Sequence, residues 1–176
     1  MPVVAPPSKI AFTPQMEKIR KYITNRFTFS FFLFWRLPAA FIAGTRVEEV
    51  TNEKCTISLP YKWLTQNPFK SIYFASQSMA GEMSTGIFGM IATYQSDPSV
   101  AMLVENIEAK FTKKADARIY FTCEEGQKIL QAVEKAKQTG EAVRVRAETI
   151  GRMKNGVEVS RFWVTWSFKA RTKKHV

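Results

Sequence analysis

The chain has 176 residues, 45% of them hydrophobic and 13% aromatic, enough for one domain with a real core and too much for wholesale disorder. The formal net charge of +11 directs attention to acidic partners, but the Lys and Arg residues are scattered. The nearest things to clusters are Lys110-Lys113-Lys114-Arg118 and the tail "KARTKKHV", with no helix-turn-helix, zinc-finger or RNP-type aromatic motif beside them. A solvated basic surface or a phosphate-bearing small ligand is therefore expected ahead of nucleic acid.

Residues 1–8 are Pro-rich and expected to fray, and Pro2, Pro6 and Pro7 stand where a signal peptide would need an apolar run. A reducing, cytoplasmic setting is the corresponding expectation. Thr13-Pro14 reads as a helix start, with Met16, Ile19, Tyr22 and Ile23 at helical spacing behind it. The run "FTFSFFLFW" from Phe27 to Trp35 predicts a second helix ending near Leu37-Pro38, packed in the interior or at an interface. It is far short of the ~20 apolar residues that a membrane span requires, and contact with a membrane surface is its minor alternative.

Beyond Gly44 the period changes to two. "TRVEEVT" and "KCTISLPYK" alternate as strands around a turn at Thr51-Asn52-Glu53. A central helix follows, and then a turn at Asp97-Pro98. "VAMLVENIEAKFTKKA" and "ARIYFTCEE" are the next strands, joined around Lys113-Lys114-Ala115-Asp116. A short helix from Glu124 to Gln138 is closed by Gly140, and Asn155-Gly156 marks a hairpin between two long C-terminal strands. Cys55 and Cys123 alternate with apolar neighbours and read as core thiols. Helices against a largely antiparallel sheet make an α+β architecture, and the long terminal strands invite edge pairing with a second copy.

The central segment "TQNPFKSIYFASQSMAGEMSTGIFGM" is the least ordinary. At about 100° per residue, Ile72, Met79, Met83, Ile87 and Met90 share one side. The opposite stripe carries Ser71, Ala75, Ser78, Glu82, Thr85, Gly86 and Gly89, with Gln77 between the two. Such a helix suits enclosure by a sheet rather than a surface position. Asn67 or Ser71 is expected to cap its first free amides, which otherwise attract an anion or a polarised carbonyl oxygen.

"LPYKWLTQNPFKSIYFASQSMAGEMSTG", "ENIEAKFTKKADARIYFTCEE" and "AVRVRAETIGRMKNGVEVSRFWVTWSF" together resemble the hotdog-fold thioesterase superfamily, across about residues 38–170. The likeness is to a bacterial branch similar to the phenylacetate-pathway type of acyl-CoA thioesterase. It implies a hotdog domain over 38–176 behind an N-terminal helical arm, 1–37, with a long helix wrapped by a curved antiparallel sheet. It also implies homodimers or dimers of dimers, with active sites between subunits and no cofactor. The thioester carbonyl would be held by backbone amides near Ser71 and Ile72, with Asn67 and Phe69 beside it. Lys70, Lys113, Lys114 or Lys62 would meet the phosphates of coenzyme A. "AKFTKKADARIYF" matches the family's strand-turn-strand, with Lys113 to Asp116 in place of its basic-proline-glycine turn.

Two departures bear on chemistry. The family's His-Gly-Gly is replaced by Phe69-Lys70-Ser71, and its helix carboxylate aligns at or next to Gln77. Glutamine orients a water or carbonyl but takes no proton. Glu82 is the nearest carboxylate, with Ser78 four residues before it as a hydrogen-bonded partner, and Glu105 and Glu108 are further candidates. The only histidine, His175, is one residue from the end, so a Ser-His-Asp or Cys-His site is not expected. Metal-ligand spacing and a phosphate loop are missing as well. An acyl-thioester hydrolase is the first reading; a non-catalytic hotdog module that binds acyl chains or acyl-CoA, or a structural dimer, is the second.

Overall fold

The computed structural model describes residues 9–171. The segment 1–8 and residues 172–176, the end of the basic tail with His175, lie outside the described residues. Helix α1, Pro14–Thr24, starts where Thr13 predicts, its hydroxyl accepting from the Met16 amide at 3.3 Å. Asn25 ends α1 and caps α2, Arg26–Arg36, accepting from the Phe27 and Thr28 amides. A short α3, Pro38–Ala43, then runs between Pro38 at its first turn and Gly44 in the left-handed region. Sequence periodicity gives no sign of α3, since six residues are too few to display one.

Strands β1 (Arg46–Val50) and β2 (Cys55–Leu59) form the first hairpin. Helix α4, Phe74–Thr93, follows, then β3 (Val100–Phe111), β4 (Ile119–Cys123), α5 (Gly126–Thr139), β5 (Val143–Met153) and β6 (Glu158–Ala170). All six strands form one antiparallel sheet in the order β1-β2-β4-β5-β6-β3. The expected strand-turn-strand around Lys113-Lys114 is thus no hairpin. β3 pairs with β6 at one edge, and the turn carries the chain across to β4, between β2 and β5. The β5–β6 hairpin closes at Asn155-Gly156, with Gly156 at φ 83°.

The sheet wraps α4, whose buried residues include Ala80, Gly81, Met83, Ser84, Thr85, Ile87, Phe88 and Ile91. This is the hotdog fold. Contact is so close that a Cβ added at Gly81 would lie 3.1 Å from Phe162, and one at Gly86 2.9 Å from Trp166. A Cβ at Gly89 would lie 3.0 Å from Phe168. The small-residue stripe is therefore the surface on which the aromatics of β6 rest. Two polar ties accompany it: Trp166 Nε1 donates to Thr85 Oγ1 at 2.9 Å, and the Ser84 hydroxyl lies 2.7 Å from Thr149 Oγ1. Cys55 and Cys123 face each other across β2 and β4 as free, buried thiols. No described helix is long and apolar enough to cross a membrane.

Gly86→Val should overpack the contact with Trp166 and lower stability by about 1–3 kcal/mol, read as a reduced urea midpoint with an unchanged slope.

Candidate active site

The site begins in the turn that leads into α4. Asn67 Oδ1 accepts from the amides of Phe69 at 3.0 Å and Ser71 at 3.2 Å, while Lys70 takes a left-handed φ of 57°. The turn is then stitched to the β3–β4 crossover: Ile72 N–H donates to the Ala115 carbonyl at 2.8 Å, and Ser71 Oγ accepts from Ala115 N–H at 3.0 Å. Two expectations are corrected here. Neither Asn67 nor Ser71 caps α4, because the turn spends their side chains on itself and on Ala115. The Ser71 and Ile72 amides, expected to hold a carbonyl, are likewise already donating.

The helix starts at Phe74 behind Tyr73, with no side-chain cap. The amides of Phe74, Ala75 and Ser76 form its first turn, where N–H groups have no partner within the helix and the positive end of the helix dipole lies. A cleft of about 400 Å³ opens beside them, lined by Asn67, Phe69, Ser71, Phe74, Gln77, Phe111 and Lys113 among others. Gln77 is only 4% exposed. Its Nε2 donates to the Ile72 carbonyl at 2.9 Å, while its Oε1 is buried without a partner. Such an acceptor costs about 1–3 kcal/mol if left unmet.

Glu82 lies elsewhere. Five residues along a helix is a rise of about 7.5 Å and a rotation of about 140°, which turns Glu82 away from Gln77. It lines a second, apolar cleft of about 170 Å³ with Phe29, Phe32 and Leu37 of the N-terminal helices and Met83, Met90, Met102 and Trp166. Its Oε1 would lie 3.2 Å from a Cβ added at Gly86. No described residue donates a hydrogen bond to it, and burial in these apolar surroundings pushes its pKa up to about 7. The expected Ser78–Glu82 pair does not form: the Ser78 hydroxyl donates back to the Phe74 carbonyl at 3.0 Å.

The remaining candidates separate. Lys113 lines the Gln77 cleft, Lys70 and Lys114 are exposed outside its lining, and Lys62 Nζ donates to the Ile42 carbonyl. Glu105 and Glu108 pair with Arg144 at 2.6 Å and Arg146 at 2.9 Å, hydrogen bonds that hold both carboxyls below their ordinary pKa. They are exposed and occupied, so they supply no base. Phe29, Phe32 and Leu37, which wall in Glu82, were legible only as an apolar helix; nothing in their spacing points to a carboxylate forty-five or more residues away.

The chain belongs to the DUF4442 family, a domain of unknown function whose pattern matches residues 26–168. No curated protein matches the sequence. Among solved structures, a Chlorobaculum tepidum protein of unknown function superposes with a TM-score of 0.71 at 13% identity, over 92% of this chain and 99% of that one. A Haemophilus influenzae thioesterase superposes with a TM-score of 0.58 at 11% identity, over 96% and 98%. A Staphylococcus aureus thioesterase, solved with a glutamine replaced by alanine, gives 0.57 at 13%, over 74% and 97%. The same protein has also been solved with a glutamate replaced, fifteen positions further on.

Burial of Glu82 has a thermodynamic signature. The folded chain holds the proton up to about pH 7, whereas an unfolded glutamate releases it near 4.5. Stability should therefore fall as pH rises between these values and then level off, by at most about 3 kcal/mol. Glu82→Gln should flatten that slope in denaturant titrations at pH 5 and pH 8.

Proposed function

We propose that this protein is an acyl-CoA thioesterase that works as a homodimer, with each active site built from the first-turn amides and Gln77 of one subunit and Glu82 of the other. The observation that carries this reading is the division of one helix between two clefts. An anion-favouring helix start with an unmet acceptor lies on one side, and an isolated carboxylate poised near neutrality lies on another.

Strand β3 supports joining them across subunits. It is one of the sheet's two edge strands, twelve residues long, with Leu103, Ile107 and Phe111 exposed. Glu82 shares its cleft with Trp166, which pairs with Val104 near the middle of β3, whereas Phe74 stacks edge-on with Phe111 at its end. A second copy pairing antiparallel about the strand's midpoint carries its Phe111 end past the first copy's Val104. That brings the Gln77 cleft of one chain toward Glu82 of the other. Asn67 precedes Glu82 by fifteen residues, the spacing of the two residues replaced in the Staphylococcus aureus protein.

In this arrangement the amides of Phe74 to Ser76 polarise the thioester carbonyl. The Glu82 carboxylate takes a proton from water as the water oxygen attacks the carbonyl carbon. The tetrahedral oxyanion collapses with cleavage of the C–S bond, and the thiolate leaves with the proton. Lys113 meets a phosphate of coenzyme A, and the Met and aromatic walls accept the acyl chain. The resemblance to phenylacetate-pathway thioesterases, a cytoplasmic setting and the division into an arm (1–37) and a hotdog domain (38–176) belong to the same proposal.

A panel of acyl-CoA substrates with thiol release as readout should give turnover that rises with pH through about 7. Glu82→Gln should lower kcat by about 10²- to 10⁴-fold. Mixing Glu82→Gln with Gln77→Ala chains should restore about a quarter of wild-type turnover, because half the dimers are mixed and each has one intact site. No rescue in verified mixed dimers would end the shared-site assignment. A second reading, a non-catalytic dimer that holds an acyl chain, draws on the non-ionisable Gln77. Native mass spectrometry showing a retained acyl ligand, with no turnover across chain lengths, would favour it.

A further inference from the structure

Helix α2 has apolar side chains on both faces. Phe29 and Leu33 point inward and are buried. Phe27, Phe31, Phe34 and Trp35, spaced one and two turns apart, point outward and are 84%, 65%, 50% and 67% exposed. The outward stripe continues into α3: Phe34 packs edge-on against both Trp35 and Phe41, with ring centroids 5.3 Å apart in each case, and Leu37 and Ile42 are exposed beside them. The bond from Lys62 Nζ to the Ile42 carbonyl, 2.8 Å, holds the turn bearing exposed Trp63 and Leu64 at the end of α3. An apolar surface of this kind is rare unless something covers it.

Charge identifies the cover. Between Glu17 and Glu48 there is no acidic residue, while Lys18, Arg20, Lys21, Arg26, Arg36 and Arg46 fall in that interval. Arg26 and Arg36 stand at the two ends of α2, exposed and without an ion pair among the described residues. On strands β5 and β6 the opposite holds: Arg144, Arg146, Arg152 and Arg161 each pair with a glutamate of this chain. The aromatic surface is thus bordered at both ends of α2 by an arginine with no ion pair among the described residues, while Arg20 on α1 is held by Glu17. A second copy would bring the same positive charge to face itself. An eleven-residue helix is about 16 Å long, too short to span a bilayer, but suited to lying in its interface with Trp at headgroup depth and Arg at phosphate level.

We infer that α2, α3 and the Trp63 turn form a docking surface for anionic phospholipid bilayers. The inner face of the same helix lines the apolar cleft of Glu82 through Phe29 and Phe32, and Leu37, just beyond the helix end, borders both the cleft and the exposed surface.

Co-sedimentation of the full chain with phosphatidylglycerol–phosphatidylcholine vesicles at low salt tests this. Binding should be at least about tenfold tighter than to pure phosphatidylcholine vesicles and should weaken as salt is added. Phe31→Ser with Trp35→Ser should weaken it by about tenfold or more, with the melting temperature retained. Brominated phospholipid should quench tryptophan emission, and Trp35→Phe, which preserves packing, should reduce that quenching. Equal affinity for both vesicle types, absence of binding, or quenching unaltered by Trp35→Phe would overturn the inference. So would a fall in solution mass on the Phe31→Ser and Trp35→Ser exchange without vesicles, since the face would then belong to another protein chain.

Discussion

Everything in this molecule depends on how closely the sheet approaches the central helix. Gly81, Gly86 and Gly89 let Phe162, Trp166 and Phe168 come within 3.2 Å of where a Cβ would stand. A helix in water loses stability with each internal glycine, about 1 kcal/mol relative to alanine. Here that loss is offset by burying large aromatic rings against backbone, which no larger side chain would allow. Because the packing is this close, polar groups on the helix are either matched, as Thr85 is by Trp166, or forced into the few gaps that remain.

Gln77 and Glu82 occupy those gaps. Rotation of the helix sends them to different clefts, one at the dipole's positive end and one among Phe, Met and Trp side chains. Neither cleft has the full set of groups for acyl transfer: the first has donors and no base, the second a base and no donors. In the proposed dimer, edge strand β3, with apolar side chains exposed along it, would combine them, since an antiparallel two-fold exchanges the two ends of the strand. The same proximity of a carboxylate to apolar walls explains why its pKa moves toward neutrality with no charged neighbour involved.

The N-terminal helices extend this logic outward. Their inward aromatics complete the wall around Glu82, while their outward aromatics are left exposed among the described residues. Arg26 and Arg36 of α2, without ion pairs among the described residues, contrast with the glutamate-paired arginines of β5 and β6. A net charge spread evenly along a sequence can still be uneven in its pairing.

The sequence by itself determined the element types. Thr13-Pro14, Gly140 and Asn155-Gly156 act within a few residues of themselves, and period-two alternation fixes which face of a strand is apolar, so helix starts, stops and the last hairpin were legible. The Gly-rich stripe also announced enclosure. Only the tertiary structure decided that β3 and β4 part company, because the partner of a strand is chosen by long-range packing and not by the turn beside it. It alone showed that Ser71 and Ile72 are engaged with Ala115 and that Ser78 bonds its own helix. It also placed the walls of the Glu82 cleft on helices far away in the chain. Local patterns encode local hydrogen bonding; which donor remains free, and which carboxylate loses its water, depends on segments that meet only after folding.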